Sequence, residues 1–273
     1  MIIGSKAYKF DESKNSMELA KEYINTAPDG AIFLVKNLQQ AHGRQDRVWT
    51  LYPEQLSVTF LLKPVNLNKI SKQDLPLRLT QLNMAIALGI FNVLKKFEVK
   101  LKWPNDFMLN NKKLGGMIIE LIWNESLLQG IVVGFSININ NVFDHSDELY
   151  EIATSLKQVF NKNFDIDILQ EKILQSIDEF YQKWLNQKFD EIFKQWKENQ
   201  FYKNKIIQVH QKDRSFISGL FSDVLSNGDL ILLPLRQASS FVPPHGGTSK
   251  DMQGDCDKEI IIPFYLVDQI SQK

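Results

Sequence analysis

The sequence predicts an α+β protein in which a mixed or antiparallel sheet flanked by helices is followed by a small β-domain. Three observations carry this expectation. Leu75 to Phe97 is apolar over much of its helical circumference, as expected of a largely buried helix. Two apolar runs, Met117 to Trp123 and Leu127 to Ile139, read as neighbouring strands. After Asn204 the chain changes to short strands, Lys205 to His210, Ser215 to Phe221, Asp229 to Pro234 and Glu259 to Val267, with a turn at Ser226 to Asp229. The expected division is 1–203 for the first domain and 204–273 for the second.

The elements follow from period and punctuation. Glu12 to Ile24 places Met17, Leu19, Ala20 and Ile24 at helical positions after a polar start, predicting a short helix. Ala31 to Val35 and Leu56 to Leu62 are strand candidates, and Val99 to Trp103 alternates apolar with polar residues. Asn110 and Asn111 mark a turn. From Ile166 to about Trp196, Leu169, Ile173, Ile177, Phe180 and Trp184 recur by threes and fours, predicting an amphipathic helix interrupted near Lys188. Gln237 to Asp257, with its PP and GG pairs, is expected to be a loop.

Composition narrows the function classes. The 273 residues carry 32 basic and 32 acidic side chains, so no global field draws a polyanion. Nucleic-acid contact then needs a local basic patch, and none stands out. Cys256 is the only cysteine, which excludes an intramolecular disulfide, and the four histidines have no zinc-ligand spacing. The N-terminus has no basic segment followed by an apolar run, and no stretch reaches the ~18 uninterrupted apolar residues of a membrane-spanning helix. The expected location is cytoplasmic.

Chemistry concentrates in three stretches. Leu101 to Leu121 gathers Lys102, Asn105, Asp106, Lys113, Gly115 and Gly116 around one hairpin. Lysines suit phosphate or carboxylate oxygens, Asp and Asn suit magnesium or nucleotide hydroxyls, and paired glycines admit a ligand close to the backbone. A charged hairpin tip with an ordinary glycine turn explains the same residues equally well. Gln39 to Trp49 sets Arg44 and Arg47 near Trp49, where guanidinium groups can grip phosphate and an indole can stack on a purine. A surface loop with Trp49 folded onto the core is the alternative. In Gly134 to Asn141, Asn138 and Asn140 share one strand face and serve either a ligand or the strand end.

In order and spacing these segments resemble biotin protein ligase, also called biotin–[carboxylase] holoenzyme synthetase. Family members have a Ser-Thr-Asn biotin motif, a GRGRRGRxW loop, KWPND, KLxGI and GxGINxN; this chain has SKN at Ser13 to Asn15, HGRQDRVW, KWPND, KLGGM and GFSININ. The resemblance is strong over residues 1–140 and weaker beyond. It implies a catalytic domain like that of class II aminoacyl-tRNA synthetases and biotin ligases, with a C-terminal SH3-like β-barrel. It also implies that biotin and ATP, with Mg²⁺, form biotinyl-5'-AMP, whose acyl group then passes to a lysine of a carrier domain. By position, Ser13 and Asn15 would hold biotin, Gln40 would meet its ureido ring, Gly116 would line its wall, and Lys113 would sit near the acyl junction. Gly43 and Arg44 belong to a loop closing over both substrates. Arg47, Trp49, Lys102, Asn105, Asp106 and Asn138 would serve ATP and its magnesium, Asp106 and Asn138 as metal ligands, with Arg44, Lys102 and Lys113 as the catalytic cations.

The departures from the family pattern are Lys14 for Thr, His42 for Arg, Gln45 and Asp46 for Arg and Gly, a loop one residue short, and Ser136 for the middle glycine of GxGIN. Asp46 adds negative charge beside an anionic nucleotide, so weaker ATP affinity is expected. The implied acceptor is the biotin carrier domain of acetyl-CoA carboxylase or a related carboxylase, for a monomer or homodimer. Because the chain starts almost directly at the catalytic segment, the DNA-binding helix-turn-helix of bifunctional relatives is not expected, and neither is DNA binding. A lipoate or octanoate ligase, a catalytically impaired biotin-binding module and a transcriptional regulator are the competing readings.

Overall fold

In the computed structural model, residues 1–44, 47–64, 70–235, 259–263 and 267–272 are described. They form two compact units, Met1–Phe201 and Tyr202–Lys273.

The first unit opens with β1 (Ala7–Ser13), α1 (Ser16–Glu22) and β2 (Ala31–Leu38), a parallel pair with a short crossover helix. Where one helix was expected from Glu12, the chain is extended through Ser13. Glu12 and Ser13 pair with Asn37 and Leu38, and the Asn15 side chain then starts α1 by accepting from Met17 and Glu18 N–H. β1 was not legible as a strand because it is a sheet edge with few apolar positions.

Next come the short hairpin strands β3 (Ala41–His42) and β4 (Val48–Trp49), followed by β5 (Gln55–Leu62) and α2 (Leu75–Leu94). A 3₁₀ turn at Lys95–Phe97 extends α2 to the expected end. By length and hydropathy, Leu75–Phe97 would suffice to cross a membrane. Here most of it is buried, packed against α4 (Ile166–Leu185) and α5 (Phe189–Glu198) as a core helix.

The strands β6 (Lys100–Lys102), β7 (Asp106–Leu109), β8 (Lys112–Asn124) and β9 (Leu127–Asn138) run as an antiparallel meander. β7 was not expected. Asn110 and Asn111 both adopt positive φ, 49° and 62°, and close the β7–β8 hairpin as their turn signal required. The sheet order is β1-β2-β5-β9-β8-β7-β6, with only the β1–β2 pair parallel. A short helix, α3 (Leu156–Phe160), also missed, precedes α4 and is capped by Ser155. The segment expected as one interrupted helix to Trp196 is two: Gln187, at φ 58°, ends α4 and α5 begins one residue past Lys188.

Alternation sorts the central strands into two faces. Leu56, Val58, Phe60 and Leu62 of β5 and Ile131, Val133, Phe135 and Ile137 of β9 are all buried on one face. On the other, Leu61 and Val132 join Ala31, Phe33, Met17 and Ala20 in a core beneath α1. Beyond α1 that second face turns polar.

The second unit is a five-stranded antiparallel sheet in the order β13-β12-β11-β10-β14, an arrangement compatible with an SH3-like domain. Its strands are β10 (Ile206–Gln211), β11 (Phe216–Val224), β12 (Leu230–Pro234), β13 (Ile260–Ile262) and β14 (Val267–Gln272). The single strand expected over Glu259 to Val267 is therefore two, on opposite edges of the sheet, with Pro263 ending the first. Ile207, Val209, Phe221, Leu230, Leu232 and Ile262 fill its interior. The expected loop from Gln237 to Asp257 lies outside the described residues.

Candidate active site

Along the second sheet face, β5 presents Leu61, Thr59, Ser57 and Gln55 in turn, and β9 presents Val132, Gly134, Ser136 and Asn138 opposite them. The apolar members lie under α1, whose Met17 approaches Gly134 so closely that a Cβ there would be 2.9 Å from Sδ. The remaining members are polar: Ser16 Oγ and Thr59 Oγ1 are 2.8 Å apart, and Ser57 Oγ and Ser136 Oγ 2.7 Å. From Ser57 a cross-strand row continues through Ser136, Gly116 and Asp106 to Lys102. A hydroxyl floor thus ends in charges.

At that end Lys113 Nζ lies 2.8 Å from Asp106 Oδ1. Lys102 is largely withdrawn from water, which pulls its ammonium below the usual lysine range; Lys113 and Arg47 add repulsion and Asp106 opposes it. Lys102 thus feels two neighbouring cations and one carboxylate, a local excess of positive charge suited to an anionic ligand. A Cβ on Gly116 would sit 2.9 Å from Asp106 Oδ1 and 3.4 Å from Lys113 Cε, so a side chain there would push against the Lys113–Asp106 pair. Asn105 supports the turn: its Nδ2 donates to the Met117 carbonyl, and the Met117 N–H donates to the Asn105 carbonyl at 3.0 Å.

At the other end, Gln39 and Gln40 N–H donate to the Ser13 and Lys14 carbonyls at 3.1 and 2.9 Å, bringing the two segments side by side. Gln40 takes part through its backbone and its side chain is exposed. Ser13 Oγ lies 3.3 Å from the Asn15 carbonyl, a local contact. Asn15 Nδ2 is 3.2 Å from His42 Nδ1.

The β3–β4 hairpin joins the two ends. His42 meets Asn15 at one side, and at the other the Lys113 ammonium lies 5.2 Å from the centre of the Trp49 ring. The Gly43 N–H donates to the Arg47 carbonyl at 2.7 Å and the Arg47 N–H to the Arg44 carbonyl at 3.4 Å, which sets Arg44 in the turn before Arg47. Gln45 and Asp46, two of the departures from the family motif, lie outside the described residues.

Asp106 and Asn138, the expected magnesium ligands, both meet protein groups in this structure. Asn138 Oδ1 already accepts from Gln55 Nε2 at 2.8 Å and Asn141 Nδ2 at 3.3 Å, which leaves the amide a donor, and Asp106 is engaged by Lys113. Their strands are separated by β8, and among the described residues no three His, Cys, Asp or Glu side chains form a metal-binding group.

Sequence reasoning missed Gln55, Ser57, Thr59, His42 and Glu120. The alternation in Gln55 to Phe60 and the lone charge at Glu120 within an apolar run were the available signals.

Residues 7–138 match the biotin/lipoate A/B protein ligase family. Over those residues the chain is similar to that family. It is 28% identical over 191 residues to the bifunctional ligase/repressor BirA of Bacillus subtilis, covering 67% of this chain and 56% of that protein. It is 27% identical over 126 residues to the biotin–[acetyl-CoA-carboxylase] ligase of Paracoccus denitrificans, covering 43% of this chain and 49% of the relative. The chain thus spans about half the length of these curated relatives. Among solved structures, the biotin protein ligase from Aquifex aeolicus in complex with biotin and ATP shares the fold with a TM-score of 0.76 at 20% identity, covering 98% of this chain and all of that one.

Proposed function

We propose that the chain is an ATP-dependent ligase that converts biotin to biotinyl-5'-AMP and transfers the biotinyl group to a lysine of a carrier domain. One observation carries the reading: a polar sheet face runs from the Asn15 cap to the Lys102, Asp106 and Lys113 cluster, and the hairpin bearing Gly43, Arg44, Arg47 and Trp49 spans both ends. Such a face suits two ligands lying end to end, a small polar acid and a triphosphate.

In the first step an oxygen of the biotin carboxylate attacks the α-phosphorus of ATP, and the bond to the β-phosphate oxygen breaks to release pyrophosphate. Negative charge grows on the non-bridging oxygens. Lys102, held in place by its strand and partly desolvated, stabilises that charge with Arg44 and Lys113, while Arg47 and Trp49 hold the nucleotide. In the second step the neutral acceptor amine attacks the acyl carbon, AMP leaves with the bonding electron pair, and the proton lost by the amine passes to solvent. The positioned cations stabilise the phosphate charge in both steps. Ser13, Asn15 and Gln40 form the biotin side, Gly116 lines the floor where the two ligands would meet beside Asp106 and Lys113, Asn105 braces the turn and Asn138 lies on the nucleotide side.

The chemistry belongs to the unit Met1–Phe201. The acceptor is a biotin carrier domain, that of acetyl-CoA carboxylase or a relative, and the reaction is cytoplasmic. Incubation of the full chain with labelled biotin, ATP, magnesium and a carrier domain is expected to label the carrier. Biotin, but not lipoate, should drive exchange of pyrophosphate into ATP. Biotin binding without exchange, or exchange driven by lipoate, would overturn the assignment.

A further inference from the structure

Both ring nitrogens of His42 are engaged. Nδ1 is 3.2 Å from Asn15 Nδ2, and Nε2 is 2.6 Å from Glu120 Oε1. The Asn15 amide has a fixed orientation, because its Oδ1 accepts from the Met17 and Glu18 N–H groups at 2.8 and 3.3 Å. Its Nδ2 must then donate towards His42. Nδ1 accepts with its lone pair, and the single imidazole proton sits on Nε2 and is donated to Glu120.

The network closes on itself. Glu120 Oε2 binds Lys21 Nζ at 2.8 Å, Lys21 binds Glu18 at 2.6 Å, and the Glu18 N–H returns to Asn15. Glu120 is held below the usual carboxylate range: burial alone would raise it, and the hydrogen bonds from Lys21 and His42 more than offset that. The ring joins three elements that share no strand pairing, namely α1, the β3–β4 hairpin and β8.

We propose that His42, as the neutral imidazole with its proton on Nε2, is a positioning residue that pins the β3–β4 hairpin to α1 and β8 and fixes the Asn15 amide for the biotin side of the site. The biotin part of this inference rests on the function proposed above. A second proton on Nδ1 breaks the match, because it faces an amide donor. Asn15 must then either rotate, withdrawing its oxygen from the start of α1, or release the hairpin.

The test uses the full chain. A long-range ¹H–¹⁵N spectrum of its histidines is expected to show Nε2 protonated and Nδ1 bare for His42; the opposite tautomer, or a doubly protonated ring at neutral pH, overturns the proposal. The Michaelis constant for biotin in pyrophosphate exchange is then measured for the parent, His42→Gln and His42→Leu. Glutamine supplies a carbonyl oxygen for Asn15 and an amide for Glu120, so it should keep the parental constant. Leucine should raise it about fivefold, the equivalent of one lost cap, with little change in kcat. Parental behaviour of His42→Leu, or a leucine-like constant for His42→Gln, would sink the idea. A parent protein without biotin-dependent exchange would overturn the functional reading instead, and the tautomer spectrum would still decide the pinning.

Discussion

Lys102 shows how the site's electrostatics can be read at a single residue. Its amine is pushed down first by loss of solvent and then by Lys113 and Arg47, so it releases its proton earlier than an exposed lysine as pH rises. An anionic nucleotide placed against it reverses that shift. Nucleotide binding is therefore expected to take up protons at alkaline pH, and affinity should fall as pH rises through the Lys102 titration. Calorimetry in buffers of different ionisation enthalpy measures this directly, and Lys102→Met should abolish the uptake. The same substitution should slow pyrophosphate exchange by about a hundredfold, the scale of removing one preorganised donor from a developing oxyanion, with the circular dichroism unchanged. Residue-level reading of the sequence found the cations but not their supports. Motifs preserve groups that face ligands, whereas His42 and Glu120 matter through each other, across 78 positions of chain.

At the scale of elements, α2 and α4 meet where Gly89 faces Ile177. A Cβ on Gly89 would stand 2.5 Å from the Ile177 Cα and 2.9 Å from its nitrogen, both backbone atoms that cannot yield without moving a helix. Gly89→Ala improves intrinsic helix propensity by about 1 kcal/mol, but forcing the helices apart should outweigh that and leave a net loss of about 1–3 kcal/mol. Thermal unfolding should shift down by several degrees while biotin binding by the folded protein stays unchanged. Long, strongly periodic elements such as α2, α4, β8 and β9 were legible from the sequence because burial writes their period into it. Elements whose existence depends on pairing were not. β1 is an exposed edge strand of mostly polar residues; β7 is four residues between two turns; β13 and β14 ran together because the one breaker between them, Pro263, comes without a Gly, Asn or Asp turn partner.

For the whole molecule, a formal charge of zero leaves the attraction for ATP that the proposed function requires to local fields such as that of the Lys102, Lys113 and Arg47 cluster. Raising salt from about 50 to about 500 mM should weaken ATP binding several-fold, over a range in which the screening length shrinks to a few ångströms. Biotin, with one carboxylate, should respond far less. Fluorescence titration at the two salt levels checks both, and ATP affinity indifferent to salt would argue that the cluster faces another ligand. The two-part architecture and mixed sheet were readable from periodicity and turn chemistry, whereas the polar end of the sheet face emerged only once the strand register aligned Ser57 with Ser136. That register has a consequence for how the protein forms. β6 to β9 are consecutive in the chain and adjacent in the sheet, joined by short reversals, so Lys102, Asp106, Lys113, Gly116 and Asn138 assemble from neighbouring sequence with little loop-closure entropy. The Asn15 side must instead be recruited from a distant stretch of polypeptide, so φ-values are expected to be higher in the meander than in the first helix.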